Sequence, residues 1–183
     1  RYERELDASL LQTIEHLPKL KGTTAVLVDV SGSMLTQLSG KSDLTRMDAA
    51  CALASMVNGD DVRVFSFSNH TVEVPYRRGM AGVDAIRTSQ RNSSTYLAEA
   101  VAYVNKNVKH DRLIVITDEQ STSYRPVPDP VVDNAYMINV ASYKNGVGYG
   151  KWTSITGFSE KVFQWIAAYE LLDEMESGKP EAR

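Results

Sequence analysis

Four short runs constrain the fold of this chain more than any other feature. Residues 23–30 (TTAVLVDV), 62–67 (VRVFSF), 113–117 (LIVIT) and 136–140 (YMINV) are near-continuous apolar stretches rich in β-branched residues. A strand buried on both faces reads this way, and such strands belong to parallel sheets covered on either side by helices. The stretches between them supply those helices. Residues 44–57 are apolar and Ala-rich and stop before Gly59, a helix-ending residue type. Residues 95–108 place Leu97, Val101, Val104 and Val108 on one face, and residues 159–175 align Val162, Trp165, Ile166, Tyr169 and Leu172. Strands alternating with helices predict an α/β fold, doubly wound around a mostly parallel sheet. Residues 71–76 alternate one short turn after the second run. They predict a hairpin and one antiparallel edge strand, since Pro75 is tolerated only at an edge or a strand end.

Residues 3–17 carry Leu6, Leu10, Ile14 and Leu17 at helical spacing, followed by Pro18. They predict an amphipathic helix that packs on the domain or on a neighbouring module. The chain opens at Arg1 rather than Met and reads as a piece of something longer. The expected division is a helix and linker to an upstream module over 1–20, the α/β domain over 21–176 and a tail over 177–183. A length of 183 residues suffices for one sizeable core, and 43% hydrophobic with 23% charged residues is a globular composition.

No apolar run approaches the roughly 18 residues of a membrane span, so no membrane partner is expected. The single cysteine, Cys51, excludes an internal disulfide framework and suits a reducing, cytoplasmic setting. Its place in the Ala-rich run 48–56 marks it as a buried structural thiol rather than a nucleophile. A net charge of −3 argues against a stand-alone nucleic-acid binder, because phosphate neutralisation supplies most of that affinity.

Candidate chemistry gathers at the ends of the strands. In an open α/β sheet, ligands bind beyond the carboxyl ends of strands where the strand order reverses. Asp29, Ser31 and Ser33 lie at that end of the first run, aimed alike by alternation, while Gly32 lets the backbone turn tightly. One carboxylate and two hydroxyls are hard oxygen ligands of the kind Mg²⁺ takes while keeping several waters. Thr95, after Asn92-Ser93-Ser94, opens a helix where its hydroxyl is expected both to cap that helix and to reach the ion. Asp118 ends the run LIVIT in the same structural position as Asp29, and holds the ion directly or through water. Glu119 is expected to point away from the ion. With Tyr124 and Arg125 it is assigned to partner contact, in the loop 120–133 stiffened by Pro126, Pro128 and Pro130.

The segment 26–34, with LVDVSGSM within it, resembles the metal-ion-dependent adhesion site (MIDAS) of von Willebrand A domains, whose fold is of this Rossmann-like kind. The resemblance implies that Asp29, Ser31, Ser33, Thr95 and Asp118 hold a divalent cation, Mg²⁺ or another, and that a partner protein offers a carboxylate to it. A narrower likeness lies in residues 139–159 (NVASYKNGVGYGKWTSITGFS) and in the order of elements, which are similar to the C-terminal A domain of Ro (TROVE) proteins. It covers essentially residues 21–175. It implies a ribonucleoprotein that binds small noncoding (Y) RNA and acts in RNA quality control. The RNA is then held mainly by helical repeats outside this chain, and the A domain serves as an interaction and ring-closing module. Ser93 and Ser94 stand where many A domains have glycines.

Other readings find less support. Gly146, Gly148 and Gly150 lack the strand-to-helix setting of a phosphate loop. Ser31 and Ser33 are not in a G-x-S-x-G elbow, and His16, His70 and His110 are far from them in sequence. Ser31 also occupies the place of the second acid of an aspartyl-phosphate enzyme. The chain is therefore expected not to be an enzyme. The alternatives are an adhesion-type A domain unrelated to RNA and a Mg-dependent hydrolase. The basic clusters Arg77-Arg78 and Lys106, Lys109, His110, Arg112 are expected to be solvated faces.

Overall fold

In the computed structural model, which describes residues 2–141, 150–157 and 159–178, each of the four apolar runs lies in a central strand. β1 (Leu20–Asp29), β2 (Gly59–Phe67), β3 (Thr71–Val74), β4 (Arg112–Thr117), β5 (Asn134–Asn139) and β6 (Thr153–Thr156) form one sheet in the order β3-β2-β1-β4-β5-β6. β3 pairs antiparallel with β2 as the edge strand, with Pro75 just past its end, and the remaining pairs are parallel.

The register explains why the runs are apolar without alternation. Val26 lies opposite Val64 and Ile114, and Ile114 opposite Tyr136. This row faces α1 (Tyr2–Glu15), α2 (Arg46–Ser55), α3 (Gly79–Arg87) and α5 (Lys161–Ser177), meeting Ile14, Cys51, Leu53, Val83, Phe163 and Ile166. The intervening residues Leu27, Phe65, Val115 and Met137 face the other way, against Leu97, Val101 and Val104 of α4 (Leu97–Asn107) and against Trp152. Each of these four central strands thus feeds two cores, because successive side chains leave opposite faces of the sheet. Cys51 is fully buried in the first of them, as expected.

α1 packs on the domain itself. Ile14 is fully buried, and Asp7 Oδ1 accepts the Met80 N–H at 2.9 Å in the first turn of α3. α2 starts at a capping box: Thr45 Oγ1 accepts the Asp48 N–H while the Asp48 carboxylate accepts the Thr45 N–H. Its end departs from expectation, since Met56 caps it and Gly59 opens β2.

Two elements were not expected. α3 begins at Gly79, which has a φ of 67°, and contains Gly82. A Cβ at Gly82 would lie 2.9 Å from Ser55 Cβ and 2.0 Å from the Arg77 carbonyl oxygen, so glycine is what lets α3 sit against α2. β6 is four half-exposed residues added to the edge of β5. The basic stretch also divides. Lys106 and Lys109 are exposed, but His110 and Arg112 are buried rather than solvated. Arg112 donates to Glu170 Oε1 at 2.6 Å and to Thr24 Oγ1 at 2.8 Å, a set of partners unavailable to a surface cation. Gly146 and Gly148, with residues 142–149 and 158 of the segment that resembles Ro domains, lie outside the described residues.

Candidate functional site

Because β1 lies between β2 and β4, the winding reverses between β1 and β4, and a crevice opens beyond their carboxyl ends. Asp29 is the last residue of β1, and Asp118 follows the last residue of β4. Both are wholly buried. Past Asp29 the chain turns through Ser31 into a 3₁₀ turn, Gly32–Leu35.

Hydrogen bonds join the two strand ends. Asp29 Oδ1 accepts the Ser31 N–H at 2.9 Å, and Oδ2 accepts the Thr117 hydroxyl at 2.6 Å. Ser31 Oγ lies 3.2 Å from Ser33 Oγ, which donates to Asp118 Oδ1 at 3.2 Å. Asp118 Oδ2 accepts from Arg46 Nη1 at 2.9 Å, and Oδ1 accepts the Gln120 N–H at 3.2 Å. Four of the five residues expected around an ion therefore form one hydrogen-bonded cluster.

Thr95, the fifth, is carried to the same crevice by its backbone. Its loop is fixed to the β1 turn, since Gly32 donates its N–H to the Ser93 carbonyl at 2.8 Å and Asn92 Nδ2 donates to the Val30 carbonyl at 2.7 Å. Ser68 Oγ adds a donation to the Ser94 carbonyl. On its other side, Thr95 exchanges bonds with Thr122 in the loop after Asp118: the Thr95 N–H donates to Thr122 Oγ1, and the Thr122 N–H donates to the Thr95 carbonyl, both at 3.0 Å. Thr95 is thus buried between the two site loops. It does not cap α4; Tyr96 takes the N-cap position without a side-chain bond.

Three residues assigned to partner contact separate. Tyr124 and Arg125 are exposed in the loop beyond the cluster. Glu119 is 7% exposed, with a φ of 59° and its N–H donated to Thr117 Oγ1, so it lies beneath that surface rather than on it. A left-handed non-glycine residue carries backbone strain of order 1–3 kcal/mol, and here it falls at the strand end next to Asp118. Two participants escaped the sequence reading. Thr117 had a signal, a hydroxyl residue closing an apolar strand. Arg46 had none, because its partner Asp118 is 72 positions away.

Burial pushes the Asp29 carboxyl up from 3.8 to about 6, outweighing the hydrogen bonds from Ser31 and Thr117, with the neighbouring Asp118 charge adding to the rise. Those hydrogen bonds come from neutral groups, so they orient the carboxylate without supplying a countercharge. A divalent ion would supply one. The donor set fits a hard cation: two carboxylates on separate strands with hydroxyls between them. Among the described residues no three His, Cys, Asp or Glu side chains converge on one point, so such an ion would depend on hydroxyls and water for the rest of its shell.

The family model described as von Willebrand factor type A domain matches residues 24–120, a span that includes every residue of this cluster. No curated protein sequence matches the chain. Among solved structures, the Ro (RSR) protein of Deinococcus radiodurans superposes with a TM-score of 0.65 at 16% identity, over 87% of this chain and 37% of that one. The present chain thus spans little more than a third of that protein's length. An aerotolerance-related membrane protein from Bacteroides fragilis, carrying multiple mutations to serine, aligns at 16% identity over 80% of this chain and 86% of that one. Its TM-score of 0.45 is too low to bear on the fold.

Proposed function

The chain belongs to the von Willebrand factor type A domain family, and on that premise we propose that it is a cation-dependent ligand-binding domain of a Ro-like ribonucleoprotein, with no catalytic activity of its own. Asp29, Ser31, Ser33, Thr95 and Asp118 are the proposed holders of the ion. The observation that carries this reading is the Asp29 carboxylate, fully buried and bonded by neutral donors, linked through two serine hydroxyls to a second buried carboxylate.

When bound, a Mg²⁺ or similar ion supplies a Lewis-acidic position that a partner's carboxylate can occupy. The chain's own residues set the terms. Asp29 carries the charge that draws the ion, and Thr117 holds that carboxylate in place. Arg46 offsets part of the charge of Asp118, which keeps the site receptive to an anionic ligand. Tyr124 and Arg125 stand exposed on the loop after Asp118, where a partner would be read. Neither a histidine nor a lysine follows the motif Asp29-Val30-Ser31-Gly32-Ser33 closely in the sequence, which supports the non-enzymatic reading.

The Ro likeness supports assigning noncoding RNA to modules beyond this domain, and to this domain the joining of that ring and the binding of a protein partner. A net charge of −3 agrees with that division. Among the described residues no helix is long and apolar enough to cross a membrane. A cytoplasmic ribonucleoprotein is the setting proposed.

Calorimetric titration with MgCl₂ and with MnCl₂ tests the core of the proposal. Wild-type chain should bind one equivalent of ion, Asp29→Ala should bind none, and affinity should weaken as pH drops below about 6, because a proton then competes for Asp29. Failure of the wild type to bind either ion would overturn the reading. Metal-dependent turnover of a generic phosphate ester, abolished by Asp29→Ala, would replace it with a hydrolase.

A further inference from the structure

α5 is apolar almost all the way round. Val162, Phe163 and Ile166 face the sheet, whereas Trp165, Tyr169, Leu171, Leu172 and Met175 are between 43% and 72% exposed. A helix with apolar residues on both sides is normally covered on both. The bare side is also rigid. Trp165 and Tyr169 stack with centroids 4.9 Å apart, and each meets the buried Tyr136 edge-on at about 6.5 Å.

One turn beyond Tyr169, the same helix borders a cleft of about 330 Å³ at the amino-terminal ends of β4 and β5, the opposite end of the sheet from the cation site. Its lining includes His110, Asp111, Asp133, Glu170, Asp173 and Glu174. Glu170 is committed to Arg112 and the Tyr136 hydroxyl, and Asp111 accepts the Thr23 N–H, while Asp133, Asp173 and Glu174 are exposed and add negative charge to the cleft. His110 is 7% exposed. Its Nδ1 lies 2.7 Å from the Val108 carbonyl, a contact that requires an N–H there. In the neutral ring Nε2 is then an acceptor, and among the described residues it has no hydrogen-bond partner. A buried acceptor left without a donor is costly, which points to a ligand that brings one.

The acceptor and the carboxylates together select a cation with several N–H donors. They do not converge closely enough to hold a metal among the described residues. A guanidinium or ammonium group fits, since its donors spread to several acceptors. α5 itself carries Lys161 against Glu170, Asp173, Glu174 and Glu176, so a second copy of this helix would bring like charge to the same face.

We propose that the outer side of α5 and this cleft form one docking surface for a basic, amphipathic segment of a partner protein. Its apolar side covers Trp165, Tyr169 and Leu172, and one arginine or lysine head enters the cleft between His110 and the carboxylates of Asp173 and Glu174. The surface is independent of the cation site.

The probe is a fluorescent four-turn synthetic helix of leucine and arginine, compared by anisotropy with the same peptide carrying glutamine for arginine. The arginine peptide should bind the 183-residue chain equally with and without divalent cation. The glutamine peptide should bind about tenfold more weakly, as should the arginine peptide to Asp173→Asn/Glu174→Gln and to Leu172→Ser. These positions are exposed, so folding is checked by circular dichroism and is expected to be intact. The ¹⁵N signal of His110 Nε2 should move with the arginine peptide alone. Equal binding of both peptides, or indifference to the carboxylate variants, would overturn the proposal. So would self-association of the chain lost on Leu172→Ser, or displacement of the peptide by single-stranded RNA.

Discussion

At Asp29, burial and hydrogen bonding pull in opposite directions, and burial dominates. A carboxyl that holds its proton more tightly in the folded chain than in the unfolded one favours the fold at low pH, and that contribution disappears as the group ionises. In cation-free chain, the stability difference between wild type and Asp29→Asn should therefore change between about pH 4 and about pH 6. Wild type should lose stability with rising pH by at most on the order of 3 kcal/mol and then level off. Asp60 and Glu73, held below their usual range by Lys19 and Arg63, act in the opposite sense, but they are common to both proteins and cancel in the comparison. Urea unfolding across that window measures the effect. Saturating Mg²⁺ should remove the loss, because the ion favours the charged form. Parallel curves for wild type and variant would mean that Asp29 is not under electrostatic strain and does not call for a countercharge.

Among the elements, α5 is tied to the sheet by one buried polar group of atoms as well as by its apolar face. Arg112 of β4 forms a buried ion pair with Glu170, whose carboxylate also accepts the Tyr136 hydroxyl from β5. Removing one partner strands a buried charge, so Glu170→Leu should cost about 3–5 kcal/mol by urea denaturation. Adding Arg112→Met should recover part of it, and a double variant worse than the single would refute the account. This pair also shows what a sequence hides. Strands β1, β2, β4 and β5 are legible as apolar runs because both faces are buried, and β3 because alternation and Pro75 mark an edge. α3 is not, since Gly79 and Gly82 are poor helix formers, and its helix is imposed by the Asp7 cap and by close contact with α2. β6 has too few and too polar residues to announce itself, and exists because β5 offers an open edge. Asp29, Ser31, Ser33 and Asp118 are legible because strand ends are where such sheets place chemistry. Arg46 owes its role to a partner distant in sequence, and His110 to a ring nitrogen, Nε2, that has no hydrogen-bond partner among the described residues.

For the molecule as a whole, Cys51 reports on stability. It is fully buried in the middle of α2, facing the sheet, and burial with the nearby Asp48 charge pushes its thiol up to about 12 against an opposing pull from Arg87. As a thiol in that surrounding it is unreactive, and exposing it requires α2 to leave the sheet that it shares with α3. Labelling by a thiol reagent at neutral pH should therefore proceed only through global unfolding, at a rate set by the unfolded fraction. An ion that binds only the folded chain lowers that fraction. At a concentration about a hundredfold above its dissociation constant, the ion should slow labelling by about a hundredfold, equivalent to about 2.7 kcal/mol. The same addition should leave the labelling of Asp29→Ala unchanged, which separates binding at the strand ends from a general salt effect. Labelling of the wild type that stays equally fast with and without Mg²⁺ or Mn²⁺ would show that the crevice holds no ion. The buried pair Asp29 and Asp118 would then need another countercharge, with Arg46 the cation already in contact with it.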